Sequence, residues 1–86
     1  MSVQYGMTVE NLNEIARKAE GKRNGVYTFR AVAYLVEDGR AQFFACRGDI
    51  YQRYSGFLTK IGTYRWGFGT DDKRALREGL KVGQRA

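Results

Sequence analysis

The spacing of apolar residues changes at Val26, and this change constrains the fold more than any other feature of the sequence. From Val26 onward apolar and polar residues alternate, which is typical of β-strands. Three turn signals interrupt the alternation: Asp38-Gly39, Gly48-Asp49 and Ser55-Gly56. The pattern therefore predicts four strands, at residues 26–36, 41–47, 50–54 and 57–66. Because short turns join them, they are expected to form an antiparallel meander.

Helical patterns lie on both sides of the strands. Before them, Thr8 is a suitable N-cap and Gly21 a suitable stop, and the apolar residues between the two recur at helical spacing: Val9, Leu12, Ile15, Ala16 and Ala19. After the strands, Thr70 is the expected cap of a second helix with the apolar residues Ala75, Leu76 and Leu80. The order α-β-β-β-β-α predicts one small α+β domain over residues 1–86. Two helices would pack on one face of a four-stranded antiparallel sheet.

Tight turns also predict which side chains share a face of the sheet. If residue 36 lies opposite 41, 47 opposite 50 and 54 opposite 57, the first face carries Val32, Tyr34, Val36, Phe43, Ile50, Tyr54, Phe57 and Ile61. The second face carries Phe29, Ala31, Ala33, Leu35, Phe44, Cys46, Tyr51, Arg53, Leu58 and Lys60. Arg53 and Lys60 have no predicted carboxylate partner, and burial of unpaired cations is costly. We therefore expect the helices to cover the first face and leave the second open.

The residue types do not favour catalysis. The sequence contains no histidine and one cysteine, so the commonest general base is missing and the common metal ligands are too few. Cys46 lies in an apolar strand and is expected to pack as a small hydrophobe. Turns and a helix start account for several carboxylates: Glu37, Asp38, Asp49, Asp71 and Asp72. We expect no enzymatic activity, no cofactor and no metal.

The charge balance favours an anionic partner. Lysine and arginine number 15 against 9 aspartates and glutamates, a net charge of +6, which attracts polyanions. We expect a small basic binding protein that contacts nucleic acid through the open face and the second helix. The candidate residues are Phe44, Tyr51, Arg53, Lys60, Arg74, Arg77 and Lys81. The cations would neutralise phosphates, while Tyr51 and Phe44 would offer flat surfaces for bases.

A protein-directed role is the alternative. Compact basic proteins without catalytic residues also include inhibitors and adaptors of phage or plasmid type, for example an inhibitor of a host defence nucleoprotein complex. The same aromatic and arginine side chains would then anchor a protein interface, with the basic surface against an acidic patch of the target. A third alternative is a homodimer, formed through the open face or an edge strand.

Two further expectations concern localisation and the segment before the last helix. The N-terminus lacks the pattern of a signal peptide, and no apolar run approaches the ~20 residues that span a bilayer. We therefore expect a cytoplasmic protein without membrane contact. The segment RWGFGT, residues 65–70, is expected to be a connector whose Trp66 and Phe68 pack against the core.

Overall fold

The computed structural model describes residues 5–54, 56–67 and 71–83. Its elements are α1 (Val9–Ala19), β1 (Gly25–Phe29), β2 (Val32–Glu37), β3 (Arg40–Cys46), β4 (Asp49–Tyr54), β5 (Phe57–Thr63) and α2 (Asp72–Gly83). The strands form one antiparallel sheet in the order β1-β2-β3-β4-β5. A small α+β domain with two helices and an antiparallel sheet is therefore confirmed. The prediction of four strands is wrong, because the sheet has five.

The additional strand arises at Arg30 and Ala31, where the predicted strand 26–36 folds back on itself. Both residues have positive φ, 46° and 67°, as in the tight hairpin turns that usually carry Asn-Gly. Phe29 therefore pairs with Val32. The N-terminal segment holds the turn, since the Gly6 N–H donates to the Arg30 carbonyl at 2.9 Å. Neither central residue is a typical turn former, so the alternating pattern could not reveal the break.

Two bulges change the predicted faces of the sheet. In β3, Gln42 is an extra residue opposite β2, so that Tyr34 pairs with Phe44 rather than with Phe43. Because successive side chains of a strand point to opposite faces, a shift of one residue exchanges the faces of Phe43 and Phe44. In β5, Ile61 is a second extra residue opposite β4. The register predicted from the turns therefore fails beyond each bulge.

The two helices pack on opposite faces of the sheet, which corrects the prediction that both lie on one face. Ile15 and Ala19 of α1 are buried against Val32, Tyr34, Val36, Ala41, Phe44 and Cys46. Leu76 of α2 is buried against Val26, Ala33, Ala45 and Ile50. The two sets alternate along the strands and hence lie on two sides of the sheet, here named the α1 face and the α2 face. A helix thus packs on each face, so neither face is open as a whole.

Polar contacts attach α1 to the end of the sheet. Thr8 is the N-cap, as predicted, and its hydroxyl accepts from the Asn11 N–H at 3.1 Å. The buried Asn11 side chain donates to the Gly6 carbonyl at 2.9 Å and accepts from the Arg30 guanidinium at 3.0 Å. One asparagine therefore joins the helix, the N-terminal segment and the β1–β2 turn.

Two aspartates position the start of α2. The Asp71 carboxylate accepts from the backbone N–H groups two and three residues further on, at 3.1 and 3.3 Å. Such bonds satisfy helix donors that otherwise have no partner. Asp72 accepts from the Tyr64 hydroxyl at 2.9 Å, which connects α2 to the residue after β5. The predicted cap, Thr70, lies outside the described residues.

Candidate functional site

The two aromatic residues predicted to stack on bases lie on the α1 face. Phe44 is 3% exposed and belongs to the cluster around Ile15. Tyr51 is half-buried against the same cluster, and its hydroxyl donates to Asp49 at 3.5 Å. Burial raises the pKa of the Tyr51 hydroxyl, and the neighbouring Asp49 charge raises it further. Phe44 is therefore a core residue without a surface for a base.

Lys60 has a carboxylate partner that the sequence analysis did not foresee. Its Nζ lies 3.0 Å from Asp49 Oδ1. The hydrogen bond to Asp49 and then the charge of Asp49 raise the pKa of Lys60. Arg53, also exposed, forms no ion pair with a carboxylate in the part of the chain that the structure describes. Of the two predicted cations of the sheet, Arg53 is thus the one available to a partner.

The predicted cations of the second helix belong to the other side of the molecule. Arg74 and Arg77 are exposed on α2, whose buried Leu76 packs on the α2 face. The Arg74 Nε lies 3.0 Å from the Glu78 carboxylate. The Lys81 side chain lies outside what the structure describes. The six predicted residues whose side chains the structure describes therefore do not form one surface.

An apolar groove lies on the α1 face between α1 and the β4–β5 hairpin. We name it the α1–β5 groove, and it has a volume of about 390 Å³. It is lined by Val9, Leu12, Asn13, Ala16, Phe44, Arg53, Gly56, Phe57 and Leu58. Phe57 is 75% exposed and Val9 74% exposed, the two largest exposed fractions among the exposed large apolar residues of the described chain. Arg53 is the one charged residue among the described lining residues.

The opposite side of α1, toward the β1 edge, has a different arrangement of aromatic residues and cations. There the β1 edge carries the half-buried aromatics Tyr27 and Phe29. Lys22 Nζ lies 4.4 Å from the centre of the Tyr27 ring, and Lys18 Nζ lies 5.1 Å from the centre of the Phe29 ring. The Arg30 guanidinium also lies over Phe29, at 4.9 Å. Cations therefore cover the aromatics of this edge.

A second exposed surface lies at the end of the sheet where β3 turns into β4. The centre of this turn is Arg47-Gly48, one residue earlier than predicted, since Cys46 pairs with Asp49. Trp66 is 54% exposed, whereas the sequence predicts that it packs against the core. Phe68 lies outside the described residues. Tyr5 is 58% exposed. We give the name Tyr5–Trp66 surface to four exposed residues of the segments that meet at this turn: Tyr5, Arg47, Arg65 and Trp66.

Three segments meet at the Tyr5–Trp66 surface. A Cβ added to Gly6 would lie 3.9 Å from the Arg47 guanidinium, so the N-terminal segment packs beside that arginine. Gly48 has φ of 92°, and an added Cβ would lie 3.3 Å from the Tyr64 carbonyl and 3.4 Å from the Trp66 Cβ. The Tyr64 N–H donates to the Gly48 carbonyl at 2.9 Å. Glycine at 48 thus allows the segment that carries Trp66 to approach the turn closely.

The described residues contain no cluster of three or more histidine, cysteine, aspartate or glutamate side chains that could hold a metal ion. Cys46 is buried, and burial raises the pKa of its thiol. Thiolate formation is therefore disfavoured, which opposes a role as a nucleophile.

Comparison with models of protein families, with curated proteins and with solved structures finds no match. Within the described residues, no helix is long and apolar enough to cross a membrane. The functional proposals therefore depend on the geometry of the two surfaces.

Sequence reasoning missed both surfaces for identifiable reasons. The sequence predicts Phe57 on the covered face, but the structure exposes it at the β4–β5 turn, where it lines the end of the groove beside Gly56. The sequence predicts that Trp66, in the connector before α2, packs against the core, but the structure exposes it. A usable signal was present in both cases, since Phe57 follows a Ser-Gly turn and Trp66 precedes a glycine-rich segment.

Proposed function

We propose that this protein is a non-catalytic binding protein whose partner is another protein, docked in the α1–β5 groove. The observation that carries the proposal is the exposure of Phe57 and Val9 in one groove, over the apolar floor formed by Phe44 and Leu58. Proteins in water seldom expose neighbouring large apolar groups unless another surface covers them. Burial of such groups against a partner is favourable at about 25 cal/mol per Å² of apolar area removed from water.

The lining of the groove indicates the chemistry of the partner segment. Its residues are apolar or uncharged except for Arg53, and no described lining residue is a carboxylate. An apolar segment that carries an aspartate or glutamate would therefore match both the shape and the charge. Aromatic residues and arginine are the commonest energetic anchors of protein interfaces. Phe57 and Arg53 are the anchors that we assign.

Nucleic-acid binding through the predicted residues finds less support in this geometry. Stacking on single strands requires an exposed ring, and Phe44 is buried in the core. Arg74 and Arg77 of α2 lie on the face opposite to Arg53, and Lys60 is already paired with Asp49. A protein partner in the groove requires none of these residues to move.

Capture from a nuclease-treated lysate of the source cells, with matched variants, tests the proposal. Phe57→Ser removes the most exposed ring of the groove, whereas Ile61→Ser removes an exposed apolar group of the same strand outside the groove. Truncation of an interface anchor costs about 2 kcal/mol or more, roughly a 30-fold loss of affinity. We expect Phe57→Ser to lose the captured protein and Ile61→Ser to retain it.

Three results would count against the proposal. If Ile61→Ser loses the partner as completely as Phe57→Ser, the free β5 edge rather than the groove is the interface. If the captured protein is a second copy of this chain, the groove is a homodimer contact. If nuclease treatment alone removes the partner, the contact depends on nucleic acid.

A further inference from the structure

The Tyr5–Trp66 surface differs from the α1–β5 groove in position and in chemistry. It combines two exposed aromatic rings with two exposed arginines, Arg47 and Arg65. Neither arginine forms an ion pair with a carboxylate in residues 5–54, 56–67 and 71–83. The groove, by contrast, is lined mainly by aliphatic side chains and Phe57.

Two carboxylates near this surface, Asp49 and Asp72, have partners other than its arginines. Asp49, two residues after Arg47, pairs with Lys60 and accepts from Tyr51. Asp72 accepts from the Tyr64 hydroxyl. Neither aspartate forms an ion pair with Arg47 or Arg65 within the described chain, so an anion from outside would meet unpaired guanidinium groups.

Backbone contacts hold the two aromatic residues beside the Arg47-Gly48 turn. The segment of Tyr5 is tied to the sheet by the Gly6 N–H, which donates to the Arg30 carbonyl. The segment of Trp66 is tied by the Tyr64 N–H, which donates to the Gly48 carbonyl. The N-terminal segment thus approaches the turn beside Arg47, while the segment after β5 approaches it at Gly48.

We infer that the Tyr5–Trp66 surface binds single-stranded nucleic acid, with bases stacked on Trp66 and Tyr5 and a phosphate bound by Arg47. An exposed ring accepts the flat face of any base, and an adjacent guanidinium binds the backbone. The bases of a duplex are stacked on one another and cannot lie on these rings. This activity goes beyond the proposed protein partner and requires no occupant in the groove.

The single tryptophan of the chain makes the inference directly measurable. Because Trp66 is the one tryptophan in the sequence, stacking of a base on it changes the whole tryptophan emission of the protein. We expect unlabelled thymidylate or uridylate homo-oligomers to quench this emission. Raising the salt concentration from about 50 to about 200 mM should weaken the binding severalfold, because phosphate contacts release counterions.

Matched variants distinguish binding at this surface from attraction by the net charge of the protein. Trp66→Leu and Arg47→Ala change exposed groups of the surface, while Arg40→Ala removes the same charge at the β2–β3 turn, the opposite end of the sheet. The readout is the fluorescence anisotropy of a labelled oligonucleotide. We expect Trp66→Leu and Arg47→Ala each to weaken binding about tenfold, as the loss of a stacked base or phosphate contact does. Arg40→Ala should cost less than about threefold.

Each contrary result overturns the inference. If the oligonucleotides leave Trp66 emission unchanged at low salt, no base stacks there. If Arg40→Ala weakens binding as much as Arg47→Ala, the attraction belongs to the net charge alone. If a duplex binds as tightly as a single strand, the rings are not the contact. If Trp66→Leu leaves oligonucleotide affinity unchanged but abolishes capture of a protein, the surface is a protein interface.

Discussion

The two sides of α1 show the same kinds of residue in opposite arrangements. On the β1 side, Lys18, Lys22 and Arg30 lie over the rings of Tyr27 and Phe29. On the β5 side, no cation is found over the exposed Phe57 ring in the described part of the chain, although Arg53 lines the same groove. One side therefore covers its aromatics with the chain's own cations, and the other leaves an aromatic and an arginine separately accessible.

This difference indicates where a partner would bind. Cations on an edge strand oppose pairing with other chains, and a cation over a ring already occupies the face of that ring. The β5 side has neither protection around Phe57. The bulge at Ile61 does interrupt the free edge of β5, and bulges oppose strand addition. For the proposed protein partner, the groove beside β5 is therefore a better docking site than the edge of β5.

The largest expected effect is a difference in the free energy of unfolding between a core variant and a groove variant. Phe44→Ala should lower the free energy of unfolding by about 3–5 kcal/mol, because it leaves a cavity beneath α1. Phe57→Ala should change it by less than about 0.5 kcal/mol, because the ring is largely in water. Urea denaturation of the two variants measures both values. Equal losses would mean that Phe57 is a core residue and that the groove is closed.

The next effect is an alkaline loss of stability that arises where the segment after β5 meets α2. Burial raises the pKa of the Tyr64 hydroxyl, and its hydrogen bond to Asp72 raises it further. A group that holds its proton more tightly when folded stabilises the protein fully below its unfolded pKa, which is about 10 for tyrosine. That contribution is lost as the pH rises above this value.

Denaturation across the range from neutral to strongly alkaline pH checks this prediction. Tyr64→Phe should be less stable than the natural sequence at neutral pH, because Asp72 loses a donor. Its stability should then fall less steeply above pH ~10. The prediction fails if the two proteins lose stability in parallel.

A smaller effect tests the protection of the β1 side. Lys22→Ala should lower stability by about 0.5–1 kcal/mol, because it removes the ammonium above Tyr27. The matched control is Arg40→Ala, which removes a charge at an exposed position and should change stability by less than about 0.5 kcal/mol. Thermal unfolding of both variants under identical conditions gives the comparison. Identical values would remove the distinction between the two sides of α1.

Local rules of the sequence predict α1 and the β2–β3 turn correctly. Thr8 caps α1 and the helix ends at Ala19, as the spacing of apolar residues indicates. The Asp38-Gly39 turn is confirmed, with positive φ at both residues. These features depend on residues near one another in the chain, where capping and turn chemistry are strong.

The features that the sequence could not predict depend on distant contacts. The Arg30-Ala31 turn lacks typical turn residues, and in the fold Gly6 and Asn11 hold it. The Gln42 bulge carries no signal either, yet it decides which of Phe43 and Phe44 lies under α1. The same bulge explains the error in the predicted site, because a register wrong by one residue puts the core ring of Phe44 on the face that was expected to be open.

Photo-crosslinking from the two edge strands of the sheet, β5 and β1, tests the central claim most directly. A benzoylphenylalanine replaces Phe57 in one protein and the exposed Thr28 of β1 in another, and both are irradiated in nuclease-treated lysate of the source cells. We predict one discrete protein adduct from position 57, through an apolar segment of the partner that contains a carboxylate, and none from position 28. Equal adducts from both positions, or none from position 57, would contradict a protein partner in the α1–β5 groove.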